Sequence, residues 1–437
     1  MSEFTALLQQ SPDPEIATIR LDHLSQDESA RRYLAKVPSG SMPAFIHMLS
    51  ISNFLFRYFC RHPDAIALLY GPNAMEREKL IGIFDGPTLR TFKYQELLKI
   101  TWLDLTDKFT YPVILDRLSH LADNVIIRAM QLAVKGKEYP GCDNSDIPFC
   151  VFAMGKLGAN ELNYSSDVDL IFVARNYGEF NGNALDYQGG VIDHIRRFNT
   201  LMQETSEDGF LYRVDLKLRP WGRSGPLVLS IDETEHYYEA STEAWERFAW
   251  LRARIITGSD RKLGEDLMDR LKPFVYLRSL GSDDLDRFIR IKNDMAKQRR
   301  RDGNWNVKLG EGGIRDIEFF IQMLQIVNAH THTALKSTNT LTVLEQLVNM
   351  GFISKEEGRE INDSYLFLRR LENRLQMVDE QQTHQLPDDI TQRKKIASSL
   401  GFGNSNDDQT IEQFDIQLDK HRQVSKSCFE RILPKES

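Results

Sequence analysis

The chain has 437 residues, of which 41% are hydrophobic and 27% charged, so it can build packed cores in more than one domain and is neither disordered nor fibrous. Its formal net charge of −8 excludes a general nucleic-acid binder, because affinity for a phosphate backbone needs a basic surface. No apolar run approaches the roughly 18 residues of a membrane span, and the opening MSEFTALLQQSPDPE has no basic stretch followed by an apolar one.

From about residue 15 to 140 the spacing predicts helix after helix. The stretch 89–105 (LRTFKYQELLKITWLDL) is typical: Phe92, Leu97, Ile100 and Leu103 share a face, and Asp85-Gly86-Pro87 punctuates its start. The texture changes near Ile147. Two short apolar runs, 148–154 (PFCVFAM) and 168–174 (VDLIFVA), read as buried strands joined by a glycine-containing loop. A helix carrying Val191, Ile195, Phe198 and Met202 follows, ended by Glu207-Asp208-Gly209. The run 211–219 (LYRVDLKLR) alternates strictly, predicting a third strand with Tyr212, Val214, Leu216 and Leu218 on one face and Arg213, Asp215, Lys217 and Arg219 on the other.

Beyond residue 230 helices return at 241–256, 285–300, 314–328 and 362–378. Trp245, Phe248 and Ile255 are expected on the core side of the first of these. The basic run 297–301 (KQRRR) reads as a solvated helix end, with a local binding patch as the alternative. His330-Thr331-His332 lacks a third ligand at metal spacing and reads as a loop. The four cysteines, Cys60, Cys142, Cys150 and Cys428, have no metal-ligand spacing, and the expectation is a cytoplasmic protein with reduced thiols. The architecture expected is α+β: a helical block (1–144), a small mixed sheet with helices (145–260) and a second helical block (261–437).

The residues most suited to chemistry lie between the first two strands. Gly155-Lys156-Leu157-Gly158 forms a turn, and Ser165-Ser166-Asp167-Val168-Asp169 opens the second strand. Asp167 and Asp169 are two apart, so their carboxylates share a face while Val168 faces the core. Paired carboxylates at the mouth of a strand suit a hard divalent cation such as Mg²⁺, and Asp215 on the third strand can supply a third. The glycine turn lets backbone N–H groups approach phosphate oxygens. Together these are the parts of a phosphoryl- or nucleotidyl-transfer site. A second Asp-x-Asp, Asp284 and Asp286, opens an amphipathic helix and reads as first-turn acids at the helix dipole.

The glycine turn followed by Asp-x-Asp on a strand resembles the nucleotidyltransferase superfamily of DNA polymerase beta. Five ordered blocks resemble one family more closely: GKLGANELNYSSDVDLIF, YRVDLKLRPWGRSGPLVLS, WERFAWLRARIITG, VKLGEGGIRDIEF and YLFLRRLENRLQMVDEQQTHQLP are similar to those of bacterial glutamine synthetase adenylyltransferase, which adds and removes AMP on a tyrosine of glutamine synthetase. The resemblance runs from Phe149 to Pro387 and is fainter before it. It implies a DNA polymerase beta-like fold for the middle unit. Family members carry two nucleotidyltransferase domains, so a chain with one resembles a truncated part of such a protein, the N-terminal, adenylyl-removing half.

The resemblance further implies that Asp167, Asp169 and Asp215 bind two Mg²⁺ or Mn²⁺ ions. The reaction it implies is phosphorolysis, in which phosphate attacks adenylyl-tyrosine and releases ADP. Gly155, Lys156, Gly158 and Ser166 are expected near phosphate oxygens. Arg213 and Lys217 either contact substrate or neutralise the acidic cluster, and the Gly310, Gly312, Gly313 and Arg315 turn either presents N–H groups to an anion or packs as a helix cap. The implied partners are glutamine synthetase and the uridylylated PII protein, with glutamine and 2-oxoglutarate as effectors. Two alternatives stand beside this reading: ATP-dependent adenylylation of the same tyrosine, and a non-catalytic module that docks glutamine synthetase or PII.

Overall fold

The computed structural model describes residues 2–70, 82–83, 85–134, 149–176, 184–240, 243–257, 261–276, 282–299, 305–403 and 407–432. Cys142 and the last two residues of the 297–301 run, Arg300 and Arg301, lie outside these residues, as do Ile147 and Pro148. Among the described residues helices dominate, and a small mixed sheet of five strands sits in the middle of the chain. The strands are β1 (Phe149–Ala153), β2 (Val168–Ala174), β3 (Val214–Asp215), β4 (Val228–Ser230) and β5 (Arg254–Thr257).

β1 pairs antiparallel with β2 on one side and with β5 on the other. The far edge of β2 is shared: its first two residues pair parallel with β3, and Phe172 to Ala174 pair parallel with β4. Between β3 and β4 the chain leaves the sheet through Pro220, Trp221 and Gly222, where Trp221 and Gly222 both have φ near +58°. This loop is tied by Arg219, whose guanidinium donates to the carbonyls of Leu216, Gly225 and Pro226. The nine-residue third strand expected from alternation is therefore only two residues long.

Period-two alternation then divides the strand side chains between two cores. Phe149, Val151 and Ala153 of β1, with Val168, Leu170, Phe172 and Ala174 of β2, join a core that also contains Leu97, Leu103 and Val125 from the helices before the sheet and Phe198 from the Ala184–Gln203 helix. The first helical block and one face of the sheet are thus packed as one body. Cys150, Phe152, Ile171 and Val173 face a second core with Tyr238, Trp250, Leu267 and Phe319. A third core, around Ile317, Leu347, Tyr365, Leu371 and Phe414, belongs to the C-terminal helices.

The helix expected over 89–105 spans Gly86–Leu105, with Asp85 accepting from Thr88 N–H as its N-cap. The helix expected over 314–328 spans Ile314–Asn328, and that over 362–378 is the end of Lys355–Met377. The expected 241–256 helix is instead the short Ala244–Trp250 followed by β5. Trp245 is 41% exposed, and the buried tryptophan of that run is Trp250. Among the described residues no helix is long and apolar enough to cross a membrane.

Candidate active site

β2 delivers Asp167 and Asp169 to the sheet's edge, and the register places Asp169 directly beside Asp215 of β3. All three carboxylates follow the odd-numbered parity of Ile171 and Val173, on the face of the second core. Adjacent parallel strands keep the same face, so Asp169 and Asp215 project together. Burial pushes the Asp169 carboxyl up to about 7, Asp215 and Asp167 add to the rise, and Lys308 and Lys217 oppose it.

Met154 N–H donates to the carbonyl of Asp169 at 2.9 Å, which brings the glycine turn onto the strand end. Gly155 adopts φ +58°, and a Cβ on it would stand 2.7 Å from Asp169 Oδ2. Only glycine lets the backbone come this close to the carboxylate. Gly158 has a different reason: a Cβ there would meet the carbonyl oxygens of Arg252 and Ala153. Gly155 therefore shapes the site, and Gly158 the packing of the turn against the chain leading into β5.

Cations hold the outer two carboxylates. Arg213 Nε donates to Asp167 Oδ1 at 2.7 Å, and the guanidinium also reaches Ser165 Oγ. Lys217 binds Asp215 through both its backbone N–H and its ammonium. With its amide nitrogen turned toward Asp167, the assignment its partners require, Gln382 donates to both carboxylate oxygens at 3.2 Å. As they stand, no three His, Cys, Asp or Glu side chains among the described residues converge closely enough to hold a metal ion. The donor set nevertheless fits one: all three groups are hard oxygen donors, Gly155 leaves the Asp169 carboxylate uncovered by a side chain, and the cluster carries more negative charge than Arg213 and Lys217 relieve at Asp169.

Lys156 does not point at this cluster's edge as a free cation. Its ammonium donates to both oxygens of Glu372 on the Lys355–Met377 helix, at 2.7 and 2.9 Å. Burial lowers the Lys156 ammonium to about 7 despite the pull of Glu372. Glu372 is itself fully buried; burial disfavours its charge, but Lys156, His384 and Arg369 hold it well below the usual carboxylate range. Ser166 is buried, and the hydrogen bonds of its loop run through its neighbour: Ser165 N–H donates to Gln376 Oε1 and Ser165 Oγ to the carbonyl of Glu380.

The C-terminal helices supply the rest of this clamp. Tyr164 N–H donates to Asn373 Oδ1, Arg369 reaches the carbonyl of Glu161 and the side chain of Asn163, and Tyr365 OH and Thr340 both donate to Glu161. Buried polar groups of this kind hold one geometry because each loses more if left unpaired than it gains by pairing. Glu161, Asn163, Asn373, Gln376 and Gln382 were not predicted from the sequence. The only signal for them is that they fall within the same blocks as the glycine turn and the Arg-rich helix.

Lys308, also missed, lies on the turn preceding the Ile314–Asn328 helix. It is half-buried, its charge is felt by Asp169, Lys156 and Glu318, and it has no ion pair among the described residues. The glycines of that turn pack as a cap: Gly312 N–H donates to Asp316 Oδ2, its Cα lies against the backbone of Arg422, and Ser425 Oγ donates to the Gly313 carbonyl.

Two family descriptions match parts of the chain. Residues 74–268 match the family described as glutamate-ammonia ligase adenylyltransferase, and residues 287–433 match that described as GlnD PII-uridylyltransferase. Among curated relatives, the bifunctional glutamine synthetase adenylyltransferase/adenylyl-removing enzyme of Stenotrophomonas maltophilia is 35% identical over 382 residues, covering 85% of this chain and 41% of the relative. The proteins of the same description from Hahella chejuensis and Thioalkalivibrio sulfidiphilus are 32% and 37% identical, over 90% and 79% of this chain and 43% and 36% of theirs. The chain thus spans less than half the length of these relatives.

Proposed function

We propose that the chain is a nucleotidyltransferase-fold unit of the glutamine synthetase adenylyltransferase family, and that its site removes AMP from an adenylylated tyrosine of glutamine synthetase by phosphorolysis. The observation that carries the reading is the register of Asp169 against Asp215, with Asp167 on the same face and the Gly155 backbone against Asp169. In this reading residues 145–260 are the catalytic unit, and the flanking helices, 1–144 and 261–437, position it. The resemblance of the sequence blocks to the first nucleotidyltransferase copy of the family is what supports the adenylyl-removing reading over the adenylylating one.

Asp167, Asp169 and Asp215 would hold two Mg²⁺ or Mn²⁺ ions, with Arg213 and Lys217 released to the phosphate oxygens. When bound, such ions neutralise the charge of the attacking phosphate and of the phenolate that leaves. The chain's own contribution is positioning and charge. Gly155 admits the substrate phosphate close to Asp169, and Lys308 offers an unpaired cation beside it. An oxygen of inorganic phosphate forms a bond to the AMP phosphorus as the bond to the tyrosyl oxygen breaks, giving ADP and tyrosine. No general base is needed, because phosphate at neutral pH is already an anion and the phenol, with a pKa of about 10, is a tolerable leaving group.

The relatives' names cover both addition and removal of AMP, so the reverse direction is the second reading. One experiment separates them: the chain is mixed with adenylylated glutamine synthetase, Mg²⁺ and phosphate, beside Asp167→Asn and Asp215→Asn. Phosphate-dependent ADP release that both variants lose supports removal. AMP incorporation from ATP into unmodified synthetase, without ADP release, supports addition; silence in both directions sinks the catalytic reading. Uridylylated PII is proposed as the regulatory partner and the cytoplasm as the location.

A further inference from the structure

The segment 378–387 joins the Lys355–Met377 and Ile390–Ser399 helices and passes between the first helical block and the catalytic loop. It is anchored at both ends. The Val378 carbonyl accepts from Asn53 N–H at 2.8 Å, the His384 carbonyl from Val307 N–H at 2.8 Å, and Leu386 N–H donates to the Trp305 carbonyl at 3.0 Å. Between these anchors its side chains alternate.

The even-numbered residues face the site. Glu380 accepts from Lys93 and from Tyr94 OH while its carbonyl takes the Ser165 hydroxyl; Gln382 donates to both oxygens of Asp167; His384 Nδ1 lies 2.8 Å from the Glu372 oxygen that holds Lys156. The odd-numbered residues, Asp379, Gln381, Thr383 and Gln385, line the opposite side, where they form one wall of a cleft of about 490 Å³. The far wall carries Asp13, Arg20 and Lys395. One strap thus has the acidic cluster on one side and a polar cleft on the other.

We propose that Gln382 is a positioning residue for Asp167, holding its carboxylate for the metal. The proposal rests on Asp167 being a metal ligand. Gln382 is exposed and bonds nothing else among the described contacts, so its amide has no role in stability that would compete with this one. A donor to the outer oxygen of a metal-bound carboxylate fixes the orientation of the ligand, and losing such a donor typically lowers metal affinity by roughly 10–100-fold.

The test is Mn²⁺ binding by the full chain, followed through the paramagnetic resonance of free Mn²⁺, with thermal melting of the metal-free protein in parallel. Gln382→Leu is expected to weaken Mn²⁺ roughly tenfold or more with an unchanged melting temperature, as for a surface substitution. Wild-type affinity in Gln382→Leu overturns the proposal. Failure of the unaltered chain to bind Mn²⁺ overturns the metal reading, and this proposal with it.

Discussion

Lys156 and Glu372 are joined by two hydrogen bonds, at 2.7 and 2.9 Å, that tie the glycine turn before the Asp167 loop to a helix more than two hundred residues later. The pair defines what the C-terminal helices do for the site. They do not add a separate lobe beside the sheet; through Glu372, Asn373 and Gln376 they set the path of the loop that carries Asp167. Lys156 is consequently a structural cation in this arrangement, and in the proposed reading Lys308 joins Arg213 and Lys217 as the cations open to a substrate phosphate.

Glu372→Gln is expected to destabilise the fold by about 3–5 kcal/mol, because it leaves the buried Lys156 and Arg369 without their shared counter-charge. Lys156→Met is expected to cost less, since Glu372 keeps Arg369 and His384. Urea unfolding of both variants checks the order. If Lys156→Met were the more damaging substitution, the pair would not be organised around the carboxylate.

Asp169 makes stability depend on pH in a direction opposite to that of a salt-bridged acid. Below about pH 4 the carboxyl is protonated in both folded and unfolded chains. As pH rises toward 7 the unfolded chain loses the proton first, because burial and Asp215 hold the folded value at about 7, and the fold loses stability. Above pH 7 the penalty is complete, on the order of 2 kcal/mol after allowance for partial solvation. Asp169→Asn should therefore raise the melting temperature of the metal-free chain at pH 8, leave it unchanged near pH 4, and abolish both activity and stabilisation by Mg²⁺. Equal melting of the two proteins at pH 8 would show that the carboxylate is not strained by its neighbours.

Lys308→Ala is expected to raise the KM for inorganic phosphate roughly tenfold, the cost of one charge-assisted hydrogen bond, with little change in melting temperature. Phosphate-concentration dependence of ADP release measures it. An unchanged KM would leave the phosphate to Arg213 and Lys217 alone.

The parts of this structure that were legible in the sequence are those set by local period. β2 occupies the residues its apolar run marked, and the Ile314–Asn328 helix begins where the glycine turn ends. The third strand was over-read because Tyr212 to Leu218 alternates in character, whereas its backbone pairs only at Val214 and Asp215 before Arg219 folds the loop over its own carbonyls. β5 was hidden because Arg254–Thr257 follows a tryptophan-rich helical run, and its pairing with β1 is non-local. The shared face of Asp167 and Asp169 was legible because carboxylates two apart on a strand are a local signal, and alternation placed Asp215 on the charged face of the next strand. Gln382 and Glu372 were not, because nothing local distinguishes a buried or bridging polar residue in one helix block from its solvated neighbours.

Gly155 and Gly158, the two glycines of the turn before the Asp167 loop, should fail in different ways when each is given a methyl group. Gly158→Ala drives a Cβ into the carbonyl oxygens of Arg252 and Ala153, atoms of the backbone that cannot rotate away. Its expected outcome is loss of stability by several kcal/mol or loss of soluble protein, as for an overpacked core. Gly155→Ala meets instead the end of a side chain, Asp169 Oδ2, at a left-handed φ of +58° that costs an alanine about 1–2 kcal/mol. The carboxylate can move, so the protein is expected to fold with a modest drop in melting temperature while Mn²⁺ affinity and ADP release fall at least tenfold. Melting curves and Mn²⁺ titrations of the two variants distinguish these roles. A Gly155→Ala chain that kept full Mn²⁺ affinity would mean that the turn does not shape the metal site, and would remove the backbone approach to Asp169 from the catalytic reading.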